Sequence, residues 1–544
     1  MKNRPTTHLF IQCVVWVSAL VAYWAIISAA RLRGYSPSWT MATRDLLSLA
    51  LLILVFVVLV KVWRYRGNLT LYTCIVILFA IGQLAQYRLF SDPEYTGRGA
   101  QKSAARLSKA QAIRSRAVAQ EYDRAKIAYV FGDAAISLES ENPESGSDGN
   151  KRSEALKEVA RVMQLPQPAR EPSVAVGLTQ VLLSARTWAP ILSVLALMVA
   201  CWFVCRETML LRVQRHGLMI AVATLLPLMI IVVFFTRDGK FIGGMTPWEP
   251  AKVLFLLSLS SILVDSYRPL SKTRWGVPPM RFLLPLIVTA GCGLVPFFVL
   301  GDFGQLWVFS IVYAVLYLVA VKRPGQLIPG LLILVAVFVL LSSVGGIPER
   351  VIYRYYLWRQ TWQPPPETAQ WWTPYLEDIR KQYGAAASVT NEDAWFDKGS
   401  QLIQAIFGIS RGQLVGAGFG LGLPEIVPVA DSDFIYSTIA EELGWIGGAS
   451  LLFVFLLLGA AGWREAMLAT DMYTKLLAAG ATAFLLAQAW VNVAGVVKLV
   501  PMTGITLPFV SHGGWSLLTS FTMVGILLGI SQRNALQLNP PSQP

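Results

Sequence analysis

LVPMTGITLPFVSHGGWSLLT, residues 499–519, lies between two apolar segments in the last part of the sequence. Pro501 and Pro508 cannot continue a helix, and Gly504, Gly513 and Gly514 weaken one. Irregular backbone at membrane depth is tolerated only where protein buries it or where it lines a polar cavity. The stretch therefore predicts a discontinuity inside a membrane-embedded bundle, with a cavity beside it.

The rest of the chain sets that discontinuity in a polytopic membrane protein. Of its 544 residues 55% are hydrophobic and only 14% charged, with a mean hydropathy of +0.52, too apolar for one soluble core. About 12 apolar segments, centred near residues 20, 54, 78, 196, 226, 257, 290, 312, 335, 448, 485 and 522, approach the length needed to cross roughly 30 Å of hydrocarbon. The expected fold is all-α and multi-pass. The first segment reads as a retained helix, since no small-residue cleavage site follows it and further apolar segments come close behind.

The net charge of +14 does not point to nucleic acid. Lys2, Arg4, Arg64, Arg66, Arg212, Arg215, Arg268 to Arg281, Lys322, Arg323 and Arg464 fall in loops on one side if the segments alternate, and the positive-inside rule makes that side cytoplasmic. Arg31, Arg33, Arg237 and Lys240 fall on the other. Cys13, Cys74, Cys201, Cys205 and Cys292 all lie in apolar segments and offer no disulfide framework.

Two hydrophilic regions, both outside on this topology, interrupt the pattern. Residues 88–186 combine an Ala-rich charged helix with a solvated linker. Residues 346–433 hold Trp358, Trp362, Trp371, Trp372 and three consecutive prolines, then AWFDKGSQLIQAIFGISRGQLVGAGFGLGLPE; such an aromatic loop suits the membrane interface. The alternate glycines from Gly416 to Gly422 superficially match a dinucleotide fingerprint, but no strand precedes them.

In order along that second region stand Trp395-Phe396-Asp397, Gln401 and Gln404, Arg411-Gly412 through Gly418, Pro424-Glu425, Asp433-Phe434-Ile435 and Glu441-Glu442-Leu443-Gly444. Upstream are TPWEPAK, with Glu249 and Lys252, and the Asp302-Phe303-Gly304 turn; downstream are QAWVNVAGVV at 488–497 and Ser511-His512-Gly513-Gly514. This series resembles the SEDS family (shape, elongation, division and sporulation), the RodA and FtsW type, over roughly 217–533. The departures are two extra N-terminal helices, a long first outer loop, some 30 additional residues between Arg354 and Asp397, and His512 where the family has tyrosine. The resemblance implies a SEDS-like bundle with a large outer loop before the last three helices. Its parts are additional helices at 1–66, helices flanking the 88–186 loop within 67–206, core helices at 207–345, a catalytic outer loop at 346–433, C-terminal helices at 434–533 and a cytoplasmic tail at 534–544.

The same resemblance implies a peptidoglycan glycosyltransferase of the bacterial cytoplasmic membrane. It would polymerise lipid II, a disaccharide-pentapeptide on undecaprenyl pyrophosphate, with a class B penicillin-binding transpeptidase as partner. Such a reaction needs a base for the acceptor hydroxyl, cations for the departing pyrophosphate and an apolar groove for the lipid. Asp397 is the expected base and Asp393 its rival, four residues away in what reads as an extended loop and so too distant to replace it. Arg354, Arg411 and Lys498 are candidates for pyrophosphate, and Trp395, Gln401, Gln404, Ser511 and His512 for other substrate contacts. Glu249, Lys252, Asp302, Pro424, Glu425, Asp433, Glu441, Glu442, Pro501 and Pro508 shape the cavity, with Glu249 expected to pair with Lys252 or with an arginine. The resemblance implies no definite cofactor, and a divalent cation (magnesium or manganese) is a candidate aid to the leaving group. A lipid-precursor transporter and a silent scaffold are the alternatives. Because every motif lies beyond residue 236, the N-terminal helices and first outer loop are expected to be dispensable for chemistry.

Overall fold

The computed structural model describes residues 4–32, 37–92, 95, 185–235, 248–272, 280–326, 349–383 and 390–538. Its long helices are α1 (Pro5–Leu32), α2 (Trp39–Lys61), α3 (Thr70–Phe90) and α4 (Ala185–Cys205). The bent run α5 (Glu207–Arg215), α6 (Gly217–Ile220), a π turn and α7 (Leu226–Phe235) follows. Next come α8 (Trp248–Lys272), α9 (Met280–Val299) and α10 (Phe303–Val321). The outer segment carries four short helices, α11 (Glu349–Arg359), α12 (Thr373–Tyr383), α13 (Asn391–Lys398) and α14 (Ser400–Gly412). Then α15 (Ile435–Leu468), α16 (Met472–Val496) and α17 (Gly514–Leu538) close the bundle. Among the described residues there is no strand.

Ten of these helices are long and apolar enough to cross a membrane, eleven when the pair bent by 72° at residue 216 counts as one span. The protein is an all-α, multi-pass membrane protein. The segment expected near 335 and most of the 88–186 region lie outside the described residues.

Burial sorts the helices. In α16, 83% of the apolar window is buried against only 28% in α2, so α16 is the axis and α2 lies at the rim. α17 presses α4 closely: a Cβ at Gly529 would stand 2.7 Å from Val204 Cβ, and one at Gly525 would meet the Leu197 carbonyl, the small-residue spacing that lets helices approach in lipid. Asp302 caps α10, accepting from the Gln305 N–H at 3.2 Å, and Asp471 caps α16, accepting from Thr474 N–H at 2.8 Å.

Helix α3 runs antiparallel to α17. At one end the Asn68 N–H donates to Ser531 Oγ at 2.6 Å, and at the other Gln86 Nε2 donates to the Val510 carbonyl at 2.8 Å. His8 Nδ1 is 2.9 Å from Thr73 Oγ1 near the start of α3, so both described ends of the chain lie on the Ser531 side. The other side carries the 497–513 segment and the outer loop.

Candidate functional site

The interruption between α16 and α17 is an irregular strap across that end of the bundle. Left-handed backbone at Lys498 (φ 63°) and Phe509 (φ 66°) turns it away from helical geometry. Its carbonyls are satisfied by amides one turn apart on α16: Asn492 Nδ2 donates to Ile505 O at 2.5 Å and to Asp433 O at 2.9 Å, and Gln488 Nε2 to Thr506 O at 3.0 Å. Ser511 Oγ accepts from Leu507 N–H at 2.7 Å and donates to Ser432 O at 2.5 Å. Protein thus supplies what lipid cannot. A small cleft remains, lined by Asp433, Asn492, Gly495, Met502, Thr503 and Gly504.

Charged groups gather under and beside this strap. Lys252 Nζ donates to Glu249 Oε1 and to Gln488 Oε1, each at 2.8 Å, with the ion pair buried. Arg354, reaching in from α11, donates to the Thr503 carbonyl at 3.1 Å. Its positive charge acts on both Asp302 and Asp433. Burial raises the Asp302 carboxyl, against the opposing pull of the Gln305 N–H, Arg354 and Lys252. Burial likewise pushes Asp433 up to about 6, Ser432 and Arg354 opposing and the Asp302 and Asp431 charges adding. The arrangement is a polar floor at the strap end of an apolar bundle, holding two cations and two reluctantly ionised carboxyls.

A second charged group fixes the loop above it. Arg88, fully buried near the end of α3, donates to Glu442 Oε1, Asp92 Oδ2 and Glu425 Oε2, each at 2.9 Å, and to the Gly422 carbonyl at 3.1 Å. Beside it α15 breaks at Gly444 (φ 68°). The break frees backbone groups that the preceding loop takes up: Ala417 N–H donates to Glu441 O at 2.9 Å and Gly418 N–H to Glu442 O at 3.0 Å, while Trp445 N–H donates to Gln413 O at 2.8 Å. A side chain at Gly416 (φ 96°) would strike the Glu442 carbonyl. Gly416 thus lets backbone meet backbone. Glu441 Oε1 accepts from Leu423 N–H at 2.7 Å and stands 4.0 Å from Arg411 Nη1, whose side chain is 41% exposed.

Toward solvent, α11, α12 and α13 enclose an aromatic block of Tyr353, Tyr356, Trp371, Trp372, Tyr375 and Trp395. Trp395 is fully buried and donates from Nε1 to the Thr361 carbonyl at 2.9 Å; its ring anchors α13 and is closed to a ligand. Asn391 opens α13 between Trp372 Nε1 at 2.6 Å and the Pro365 carbonyl at 2.7 Å. Residues 361–375 therefore build the wall against which α13 packs. This corrects the extended reading of 393–397: burial of Ala394, Trp395 and Phe396 folds the stretch into a helix, and positions 393 and 397 stand one turn apart on it.

Of the other expected site residues, Gln401 and Gln404 lie on α14, with Gln404 Oε1 buried and without a hydrogen-bond partner among the described residues. Lys498 accepts at its carbonyl from Trp358 Nε1 at 3.0 Å. His512 donates its N–H to Asp431 O at 2.7 Å, and its ring meets Phe90 edge-on at 5.4 Å. Pro424 is buried and opens a 3-10 turn that presents Glu425 to Arg88. Pro501 and Pro508 sit in the strap. Thr246 and Pro247 of TPWEPAK lie outside the described residues. The structure thus joins Glu249, Lys252, Asp302, Arg354 and Asp433 around the strap and Glu425, Glu441 and Glu442 beside Arg88.

The family model for FtsW, RodA and SpoVE, described as cell cycle protein, matches residues 175–536, more than half of the chain and every motif above. The chain belongs to this family. A 144-residue segment is 39% identical to the peptidoglycan glycosyltransferase RodA of Mycobacterium tuberculosis, covering 26% of this chain and 31% of that protein. A 136-residue segment is 39% identical to stage V sporulation protein E of Bacillus subtilis, covering 25% of this chain and 37% of that one. Another of 137 residues is 41% identical to the probable peptidoglycan glycosyltransferase FtsW of Geobacter metallireducens, covering 25% and 36%. The similarity spans about a third of the length of these relatives. Among solved structures, a peptidoglycan synthase complex that coordinates polymerization and crosslinking aligns with a TM-score of 0.46 at 21% identity, covering 65% of this chain and 90% of that one. The rod shape determining protein RodA of Thermus thermophilus aligns with 0.33 at 18% identity, covering 64% and 96%.

Arg88, Asp92, Gln488 and Asn492 were not singled out in the sequence as members of this FtsW/RodA-type site. A signal for each existed: Arg88 with Asp92, and Gln488 with Asn492, are polar pairs at i,i+4 in or beside apolar helices, where unpaired polar groups are costly.

Proposed function

We propose that this chain is a peptidoglycan glycosyltransferase that polymerises lipid II at the outer face of the bacterial cytoplasmic membrane, with both termini cytoplasmic and a class B penicillin-binding protein as partner. Family membership supports the reading, as do relatives named peptidoglycan glycosyltransferase. The observation that carries it is the convergence of the family's charged motif residues on one end of the bundle, beneath an outer loop, at an interrupted helix.

The acceptor hydroxyl oxygen attacks the anomeric carbon of the donor sugar as the bond from that carbon to the pyrophosphate oxygen breaks. The hydroxyl proton passes to the Asp397 carboxylate, and undecaprenyl pyrophosphate leaves with the bonding pair. One displacement inverts the anomeric centre. Arg354 is the cation best placed for the leaving group, since it already lines the strap; Arg411, whose side chain is 41% exposed, suits the approach, and Lys498 stands at the start of the strap. Among the described residues no three His, Cys, Asp or Glu side chains are grouped to hold a metal ion, and Asp92, Glu425 and Glu442 are engaged by Arg88. The test is purified protein incubated with lipid II, with and without the transpeptidase, and scored for glycan chains. Accumulating glycan is expected, and unconsumed lipid II under both conditions would overturn the assignment.

A further inference from the structure

Helices α1 to α3 precede the residues matched by the family model, which begin at 175, yet two of them grip the loop that carries its motifs. The outer end of α1 meets Gly420: a Cβ there would stand 2.8 Å from Ala29 Cβ and 3.3 Å from Ile26 Cα. Two residues on, the Gly422 carbonyl and Glu425 are held by Arg88 of α3. From the opposite side, Ala417 and Gly418 are bonded to the broken turn of α15. The glycine run is therefore held between α15 and the N-terminal layer, and it leads through Pro424 to Asp433 at the cleft.

Helix α1 is built to hold that position. The Tyr23 ring meets Tyr87 edge-on at 4.9 Å, next to Arg88, and its hydroxyl donates to buried Asp45 of α2 at 3.4 Å. Asp45 is itself paired with Arg44 at 2.7 Å, and Trp16 Nε1 donates to the Leu46 carbonyl at 3.2 Å. A helix that served only as a membrane anchor would have no need of polar ties along its length or of a small residue facing a loop glycine.

We infer that the N-terminal helix pair positions the glycine run, with Ile26 and Ala29 as positioning residues that set the outer loop over the cleft. The inference rests on the glycosyltransferase reading and replaces the expectation that these helices are dispensable for chemistry. Gly420 stands at φ 75° against Ala29, so any side chain there must push the loop off α1.

The experiment uses full-length protein and lipid II. Gly420→Ala is expected to lower kcat by about tenfold to a hundredfold with KM nearly unchanged, the scale of a misplaced reacting group. Ala29→Gly alone removes one side of the contact and should lower kcat less than Gly420→Ala does, and Ala29→Gly combined with Gly420→Ala should regain several-fold in kcat over Gly420→Ala. The regain is partial because the positive φ remains. Proteolysis of the 413–433 loop is followed in parallel, with faster cutting expected in Gly420→Ala and slower cutting on adding Ala29→Gly. No recovery in either readout, or loss of activity that follows thermal stability alone across the variants, overturns the inference. If wild-type protein forms no glycan, the functional reading fails while the cleavage pattern still decides the positioning.

Discussion

Arg88 Nε and Glu442 Oε1 lie 2.9 Å apart across 354 residues of sequence, both buried, and the same guanidinium binds two further carboxylates. One cation thus ties α3, the 3-10 turn at Pro424 and the broken helix α15 into a unit. A buried ion pair is weak support for stability as a whole, but removing one partner strands the others.

Arg88→Gln is therefore expected to destabilise the protein by about 3–5 kcal/mol, the scale for breaking a buried pair. Unfolding of a protein this size is apt to be irreversible, so the measurement is the half-life of the monodisperse species in detergent at fixed temperature. Arg88→Lys should recover only part of the loss, since a point charge cannot make the forked contacts. Wild-type half-life for Arg88→Gln would show that the carboxylates find other partners.

Asp433 predicts a titration. Its carboxyl is held at about 6 against a reference of 3.8, so the folded chain binds this proton more tightly than the unfolded chain. Between about pH 4 and pH 6 the folded state carries the additional proton; the group's contribution to stability is full below that window and is lost as pH rises through about 6. A protonated-carboxyl infrared band that disappears in Asp433→Asn should titrate near pH 6. Because Arg354 opposes the shift, Arg354→Gln should move that midpoint upward, and a downward move would contradict the assigned neighbourhood.

Much of the architecture was legible because apolar segments of membrane length and a Pro/Gly interruption are local signals. Glu249 could be expected to pair with Lys252 or an arginine, and the i,i+3 neighbour Lys252 is the partner found. Arg88 could not be matched to Glu425 or Glu442, since nothing local links residues more than 330 positions apart. The helix at 391–398 was missed for a different reason. Eight residues are too few for a periodic pattern, and this helix exists because Trp395 and Asn391 are captured by Thr361, Pro365 and Trp372. The break at Gly444 was hidden inside a continuous apolar run, its cost met by loop backbone that no periodicity reveals.

The proposed orientation can be checked by labelling. A cysteine replacing Lys398 should react with an impermeant reagent applied from outside, and one replacing Gln537 only after the inner face is exposed. The structure places residues near 531 at the end of the bundle opposite the strap, so both cysteines labelling from the same face would be incompatible with the fold. Reversed labelling would retain the fold and remove the outer-face chemistry.

The base assignment gives the last expectation. Asp397→Asn keeps shape and most hydrogen-bonding capacity but removes basicity, and a positioned general base contributes about 10²- to 10⁴-fold, or roughly 3–5.5 kcal/mol of barrier. Glycan formation should fall by that factor while membrane insertion is unchanged. Asp393 is not the distant control that an extended loop would make it. On α13 it stands one turn away, so the two positions are tested together. Asp393→Asn alone should retain most activity, and Asp393→Asn with Asp397→Asn should fall below Asp397→Asn alone. An inactive Asp393→Asn beside an active Asp397→Asn would transfer the base to position 393, and a double variant as active as wild type would remove the carboxylate from the reaction altogether.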